Sequence, residues 1–278
     1  MPDIDMELFN ELSEFITLRM KSCRGEEHSG DWIEHKAHTD YDIWFIQSGT
    51  AKIQIAGIEH TAREGDVIFF YPHIPYIASS EEGCHLVYVH FDYGIGAQQR
   101  ILNDYQLSGI IPYAFISEEA DLFNKSFTQM EKQHSGNRLY LKASLLAVIA
   151  KIIELHGHGH YTGSFLNGRK LRKSEGSLDV LQPIFQYIYD HLNKSIKMSE
   201  LAALAGISEK YFISYFKKAL GITPGQYIYQ IKMNQARDYL YQKKYTVQQI
   251  AGFLGYPDPF TFSKAFKKYY NVPPSKFD

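Results

Sequence analysis

The sequence predicts a two-domain α+β protein: an N-terminal β-barrel with flanking helices, then an all-α C-terminal domain. Three observations carry that expectation. Between residues 31 and 92, short apolar strands recur at roughly ten-residue spacing, with Gly and Pro between them, as in all-β barrels and sandwiches. From 178 onward, apolar residues keep a helical spacing to the end. The last hundred residues also contain an internal repeat. A chain of 278 residues suits two domains of about 100–200 residues, each with its own core.

In order along the chain, residues 1–30 read as a mixed lead-in without strong periodicity. Strands are expected at 42–46, running to Gly49, at 52–55, running to Gly57, and at 67–71 after the turn Glu64-Gly65-Asp66. Pro72 and Pro75 break that strand, and another follows at 85–91. Leu122, Phe123, Phe127 and Met130, then Leu141, Leu145, Val148, Ile149 and Ile152, fall at helical spacing, so two helices are expected over 118–134 and 138–156. Residues 1–156 thus form the first domain. Residues 157–177, rich in Gly, Ser and charge, read as a linker, with 178–278 as the second domain. The glycines of His156-Gly-His158-Gly-His160 favour a flexible segment over a metal tract, and Arg169-Lys170-Leu171-Arg172-Lys173 reads as solvated linker.

Composition narrows the class. No apolar run approaches the roughly 18 residues of a membrane span, and the first residues are acidic where a signal peptide is basic, so a cytoplasmic protein is expected. Cys23 and Cys84 stand far apart, without disulfide-framework or zinc spacing. The net charge of −2 hides an asymmetry. Residues 178–278 hold 13 Lys and Arg against 7 Asp and Glu, whereas the first 177 residues hold 16 against 24. A basic rear half suits a polyanionic partner.

The repeat sharpens this. Leu201-Ala202 with Leu204-Ala205-Gly206 recurs as Ile250-Ala251 with Phe253-Leu254-Gly255, an offset of 49. Phe212, Phe216 and Lys217-Lys218 recur as Phe262, Phe266 and Lys267-Lys268, an offset of 50. Each copy has the makings of a helix-turn-helix. Thr246-x-x-Gln249 is a capping box, Gly206 and Gly255 permit a sharp turn, Ser208 and Asp258 cap the second helices, and Pro259 takes a first helical position. The phenylalanine pairs at i, i+4 face a core and leave the other helix face free to enter a groove. Residues 224–240 suffice for one connecting helix.

The stretches MSELAALAGISEKYFISYFKKALGITPGQYI and IAGFLGYPDPFTFSKAFKKYYNVPPSKF resemble the two DNA-binding motifs of the AraC/XylS family of transcription regulators. Asn271 stands where that family commonly has Gly. The resemblance implies double-stranded DNA as a partner, with Lys210, Ile213 and Ser214 facing bases from the first recognition helix and Phe260, Thr261 and Lys264 from the second. Lys217, Lys218, Lys267 and Lys268, a turn later, are expected to meet phosphate, which supplies affinity without sequence information. A rigid spacer would set the recognition helices about 34 Å apart, so that one subunit covers about 17–20 base pairs.

The pattern from His35 through His38, Asp42, Gly49, Gly65-Asp66, Pro72 and Pro75-Tyr76 resembles the cupin barrel that many of these regulators carry as a sensor. Where metal cupins place four ligands, this chain has Lys36, His38, Asp42 and Tyr76. Two ligand types are missing and a lysine repels a cation, so no metal, no cofactor and no enzymatic activity are expected. Alternation places Asp42, Trp44 and Ile46 on one strand face. His38, Asp42, Trp44, Tyr76 and His90 become the candidate effector-binding residues, with a carbohydrate as the implied ligand. The resemblance further implies a homodimer, paired through the 118–156 helices or with those helices on their own barrel, and an activator that contacts RNA polymerase. Two alternatives stand beside it: a cupin-type metal-dependent enzyme with an appended DNA-binding module, and a regulator without a small-molecule effector.

Overall fold

The computed structural model describes residues 13–95, 98–99, 101–132, 137–165 and 181–277. The chain divides into two compact units, one reaching Ser174 and the other running from Glu175, with residues 96–98 grouped with the second.

Nine antiparallel strands among the described residues build the sheet structure of the first unit, with β8 at the boundary between the units: β1 (Ile16–His28), β2 (Trp32–Lys36), β3 (Tyr41–Ile55), β4 (Ile58–Arg63), β5 (Val67–Phe70), β6 (Tyr76–Ser80), β7 (Cys84–Ile95), β8 (Gln98–Gln99) and β9 (Gly109–Ile111). The expected strands at 42–46 and 52–55 are one continuous β3, with a register shift between Ile46 and Ser48. Its first half pairs with β5 and β7, its second with β4 and β6, so a single strand serves both sides of the rolled sheet. Trp44, Ile46, Ile53, Ile55, Ile68, Phe70, Tyr76 and Leu86 form the core between them. Alternation holds on β3: Trp44 and Ile46 join that core, while Phe45 on the opposite face stacks on Phe123 at 4.0 Å. Residues 41–46 are therefore buried on both faces.

Two helices follow, α1 (Tyr113–Glu131) and α2 (Asn137–Gly157). Ile116 departs from helical geometry, so the regular part of α1 begins close to the expected residue 118.

Two sequence expectations need correction. Within the supposed lead-in, residues 16–28 form β1, paired along its length with β7. Ile16, Leu18 and Met20 alternate with Thr17, Arg19 and Lys21, but only Leu18 is buried and the run ends at the register shift between Met20 and Ser22, so the signal is short. The segment from 158 to 165 is not linker. The backbone N–H of Gly163 donates to the Gln106 carbonyl (2.7 Å) and that of Phe165 to Ser108 (3.2 Å), while Phe165 packs into the barrel core. Gly163 serves close approach: a Cβ there would stand 2.3 Å from the Ser108 carbonyl oxygen. Residues 166–177, including Arg169 to Lys173, lie outside the described residues.

The second unit is helical: α3 (Gln182–Asp190), α4 (Met198–Leu204), α5 (Glu209–Leu220), α6 (Pro224–Gln242), α7 (Val247–Phe253) and α8 (Pro259–Tyr270). The local signals act as expected. Ser208 accepts from Tyr211 N–H, Thr246 and Gln249 close a capping box, and Asp258 accepts from Thr261 N–H. Gly206 and Gly255 take φ of +67° and +66° in the two turns, and Asn271 closes α8 in the same left-handed region at +61°. The long helix α6 packs on both copies: Tyr227 lies 5.7 Å from Phe216, and the Tyr229 hydroxyl donates to Ala265 O. Buried Lys232, its ammonium held below the ordinary lysine value by burial, donates to Lys194 O at 3.0 Å. Thr246→Ala removes an N-cap and is expected to cost about 1 kcal/mol, read as a lower denaturant midpoint at unchanged slope.

Candidate functional site

In α5 and α8 the apolar pairs Phe212/Phe216 and Phe262/Phe266 are fully buried, with ring centroids 5.7 and 5.8 Å apart. The opposite faces carry the residues singled out from the sequence. Lys210, Ser214, Phe260, Thr261 and Lys264 are exposed and Ile213 is half-buried. Lys217, Lys218, Lys267 and Lys268 are exposed in the last turns. Phe260 is 79% exposed, an unusual position for a large apolar ring two residues from a fully buried one. Thr261 is partly committed to the cap: its hydroxyl donates to Asp258 Oδ2 at 2.8 Å. The Thr261 backbone and hydroxyl donors hold the Asp258 carboxyl below the usual aspartate value. Tyr211, 60% exposed beside Lys210, belongs to the same face and does not stand out in the sequence. It occupies the position that Thr261 holds in the second copy, so the repeat offset of 50 is the available signal.

In the first unit the fold gathers the candidate effector residues. His38 precedes β3, Asp42 and Trp44 lie on it, Tyr76 opens β6, and His90 stands directly opposite Asp42 in the β3–β7 register. Asp42 is fully buried. Its Oδ2 accepts from Trp44 Nε1 at 2.8 Å and lies 3.5 Å from His38 Nε2 and 3.6 Å from His90 Nε2. The His38 and His90 rings are 4.4 Å apart, and Ser22 Oγ meets His90 Nδ1 at 2.9 Å. Burial holds the His38 imidazole below the ordinary histidine value, against the pull of the Asp42 carboxylate. Burial, with that same carboxylate beside it, pushes the Tyr76 phenol far above the ordinary tyrosine value.

Trp44 and Tyr76 are almost wholly covered, at 2% and 3% exposure; Trp44 meets Tyr76 and Phe70 edge-on, and Tyr76 stacks on Phe70 at 4.3 Å. Their ring faces serve the core, while the Tyr76 hydroxyl has no hydrogen-bond partner among the described residues. Beside the cluster opens a cavity of about 590 Å³ lined by His35, Lys36, Gln54, Pro75, Tyr76 and Ile77, among others. Tyr76 borders both this cavity and the His38 ring, 6.1 Å away. Lys36 is held by Glu34 at 2.8 Å and lies 5.9 Å from the Trp44 ring. Among the described residues no helix is long and apolar enough to cross a membrane.

Comparison with known proteins matches both units. Residues 22–149 match the AraC-like ligand binding domain, and residues 201–278 match a helix-turn-helix domain. The chain is 23% identical over 243 residues to the Msm operon regulatory protein of Streptococcus mutans, covering 86% of this chain and 84% of that protein. It is 29% identical over 104 residues to the lactose operon transcription activator of Staphylococcus xylosus, covering 36% of this chain and 37% of that protein. Over 91 residues it is 30% identical to the raffinose operon transcriptional regulatory protein of Pediococcus pentosaceus, 33% of each chain being covered. A sensor-type barrel over 22–149 followed by the duplicated helix-turn-helix places this chain in the AraC family of regulators.

Proposed function

We propose that the chain is a homodimeric, ligand-responsive transcription activator that reads double-stranded DNA through α5 and α8 and takes a carbohydrate in its N-terminal barrel. One observation carries the DNA reading. Two helices built alike bury a phenylalanine pair on one side and expose a basic, hydrogen-bonding face on the other, as groove-entering helices do. Lys210 and Lys264 suit guanine O6/N7. Phe260, Ile213 and the Thr261 methyl suit a thymine methyl, and Ser214 suits either base type. The paired lysines 217/218 and 267/268 suit phosphate.

For the effector, His38, His90 and the hydroxyl of Tyr76 present hydrogen-bonding groups around a buried carboxylate, beside a cavity within the usual small-ligand range of about 300–1,000 Å³. The lactose and raffinose operon regulators among its relatives favour a sugar, and the former favours activation. Pairing of two copies is supported by the exposed apolar residues Leu139, Tyr140 and Leu146 of α2. Contact with RNA polymerase follows from the activator reading, and a cytoplasmic location follows from acting on DNA.

Thermal unfolding of the full chain against sugars and sugar acids tests the sensor, and selection of duplexes from a random pool tests the reader. The expected results are a rise in midpoint with one sugar class, through mass action, and enrichment of one sequence. A pool that shows no enrichment overturns the DNA reading. No shift with any sugar overturns the carbohydrate assignment alone.

A further inference from the structure

The buried Asp42 lacks a full positive partner. Among the described residues it pairs with no lysine or arginine: Lys36 is held by Glu34, and Lys21 by Asp40 and Asp92. Its Oδ1 and the Nε2 of His38 are buried without a hydrogen-bond partner. A carboxylate held at zero exposure with an unsatisfied oxygen is costly unless a cation compensates it. Two imidazoles converge on that carboxylate, and the donor atoms of His38, Asp42 and His90 all lie within 4.8 Å of one another.

We propose that His38, Asp42 and His90 form a binding site for a divalent first-row transition cation of the zinc class. Two imidazole nitrogens and one carboxylate oxygen are a donor set such ions take, with a further position left open. Ligands about 2.0 Å from a tetrahedral ion stand about 3.3 Å from each other. The observed separations of 3.5 and 3.6 Å from Asp42 Oδ2 to the two imidazoles need only small adjustments to match. A supporting layer is already in place. Ser22 Oγ at His90 Nδ1 directs Nε2 toward Asp42, and Trp44 Nε1 fixes the carboxylate. Tyr76 stands beside the cluster, its ring 6.1 Å from that of His38, its buried hydroxyl unsatisfied and its ring bordering the neighbouring cavity.

The sequence conceals this site because two of the four places where metal cupins hold their ligands, Lys36 and Tyr76, fail as ligands here. His90 lies 48 residues beyond Asp42 and joins it only through the β3–β7 register. The site does not depend on a sugar effector.

The test uses the full chain, stripped with a chelator, dialysed, and titrated with Zn²⁺ by calorimetry and with Co²⁺ by visible absorption. One ion per chain is expected, with the intense Co²⁺ bands of a four-coordinate site. His90→Gln and His38→Gln are each expected to weaken binding at least about a hundredfold, and Ser22→Ala about tenfold. The double variant His158→Gln/His160→Gln is expected to bind as the parent does. Each variant's unfolding midpoint in chelator, matched to the parent's, shows that the loss is of ligands and not of fold. His90 and His38 are partly exposed, so the test does not hang on a substitution of buried Asp42. Absence of saturable binding of either ion overturns the proposal, as does binding that survives His90→Gln or is lost with His158→Gln/His160→Gln. Sugar-induced stabilisation of the chelated protein, without ion binding, overturns the ion site while leaving the regulator reading in place.

Discussion

Phe262→Ala is expected to remove about 3–5 kcal/mol from the stability of the helical unit, the cost of truncating a fully buried phenylalanine. Phe262 sits at the centre of a cluster with Met233, Ala236, Ile250, Ala251, Leu254 and Phe266, and its ring lies 5.5 Å from Tyr256 and 5.8 Å from Phe266. These neighbours come from α6, α7 and α8, so one cavity loosens the link helix and both helices of the second motif together. Domain stabilities of about 5–15 kcal/mol leave little after such a loss. Chemical denaturation of the full chain should therefore show a helical transition moved to much lower denaturant. Phe260→Ala, two residues earlier on the same helix, is the matched control. Its ring is 79% exposed, so stability should change by no more than about 0.5 kcal/mol. If both variants unfold alike, the division of α8 into a core face and a free face is wrong. If Phe260→Ala keeps the fold but loses affinity for the selected duplex, the free face is the reading face.

That division is legible in the sequence because it is written locally. Thr246 and Gln249, Ser208, Asp258 with Pro259, and the turn glycines each act within a few residues of their own position, and the repeat states each signal twice. The barrel is different, since its decisive pairings are remote. β1 gives only a short sign, Ile16, Leu18 and Met20 alternating with polar residues, because beyond Met20 the strand is polar and partly or fully solvated. The segment at 158–165 misleads for the opposite reason: glycine marks flexibility in sequence, but Gly163 is there so that two backbones can meet. His38, Asp42, Trp44, Tyr76 and His90 are legible as a group, and the fold does bring them together. What the sequence withholds is their bonding, above all that Trp44 donates to Asp42 and that His90 faces it across a strand pair.

Lys264→Ala and Lys268→Ala, one turn apart on α8, are expected to separate base reading from phosphate anchoring. Both side chains are exposed, so neither change should alter the fold. Lys264 lies in the same exposed face as Phe260 and Thr261, and a lysine ammonium is a suitable donor to guanine O6/N7. Its loss should weaken the selected duplex by about 1–3 kcal/mol, roughly 5–150-fold, and relax preference at one base pair. Lys268 sits in the last turn of α8, the position proposed above for a phosphate contact. Its loss should weaken selected and random duplexes by the same factor, and reduce the slope of log affinity against log salt by about 1, one released counterion fewer. Titrations of both variants on both duplexes at three salt concentrations give the four slopes required. Equal weakening on selected and random DNA by Lys264→Ala would move that lysine to the backbone. Relaxed preference from Lys268→Ala would instead mean that α8 enters the groove a full turn deeper, with Lys267 and Lys268 taking the base-reading positions.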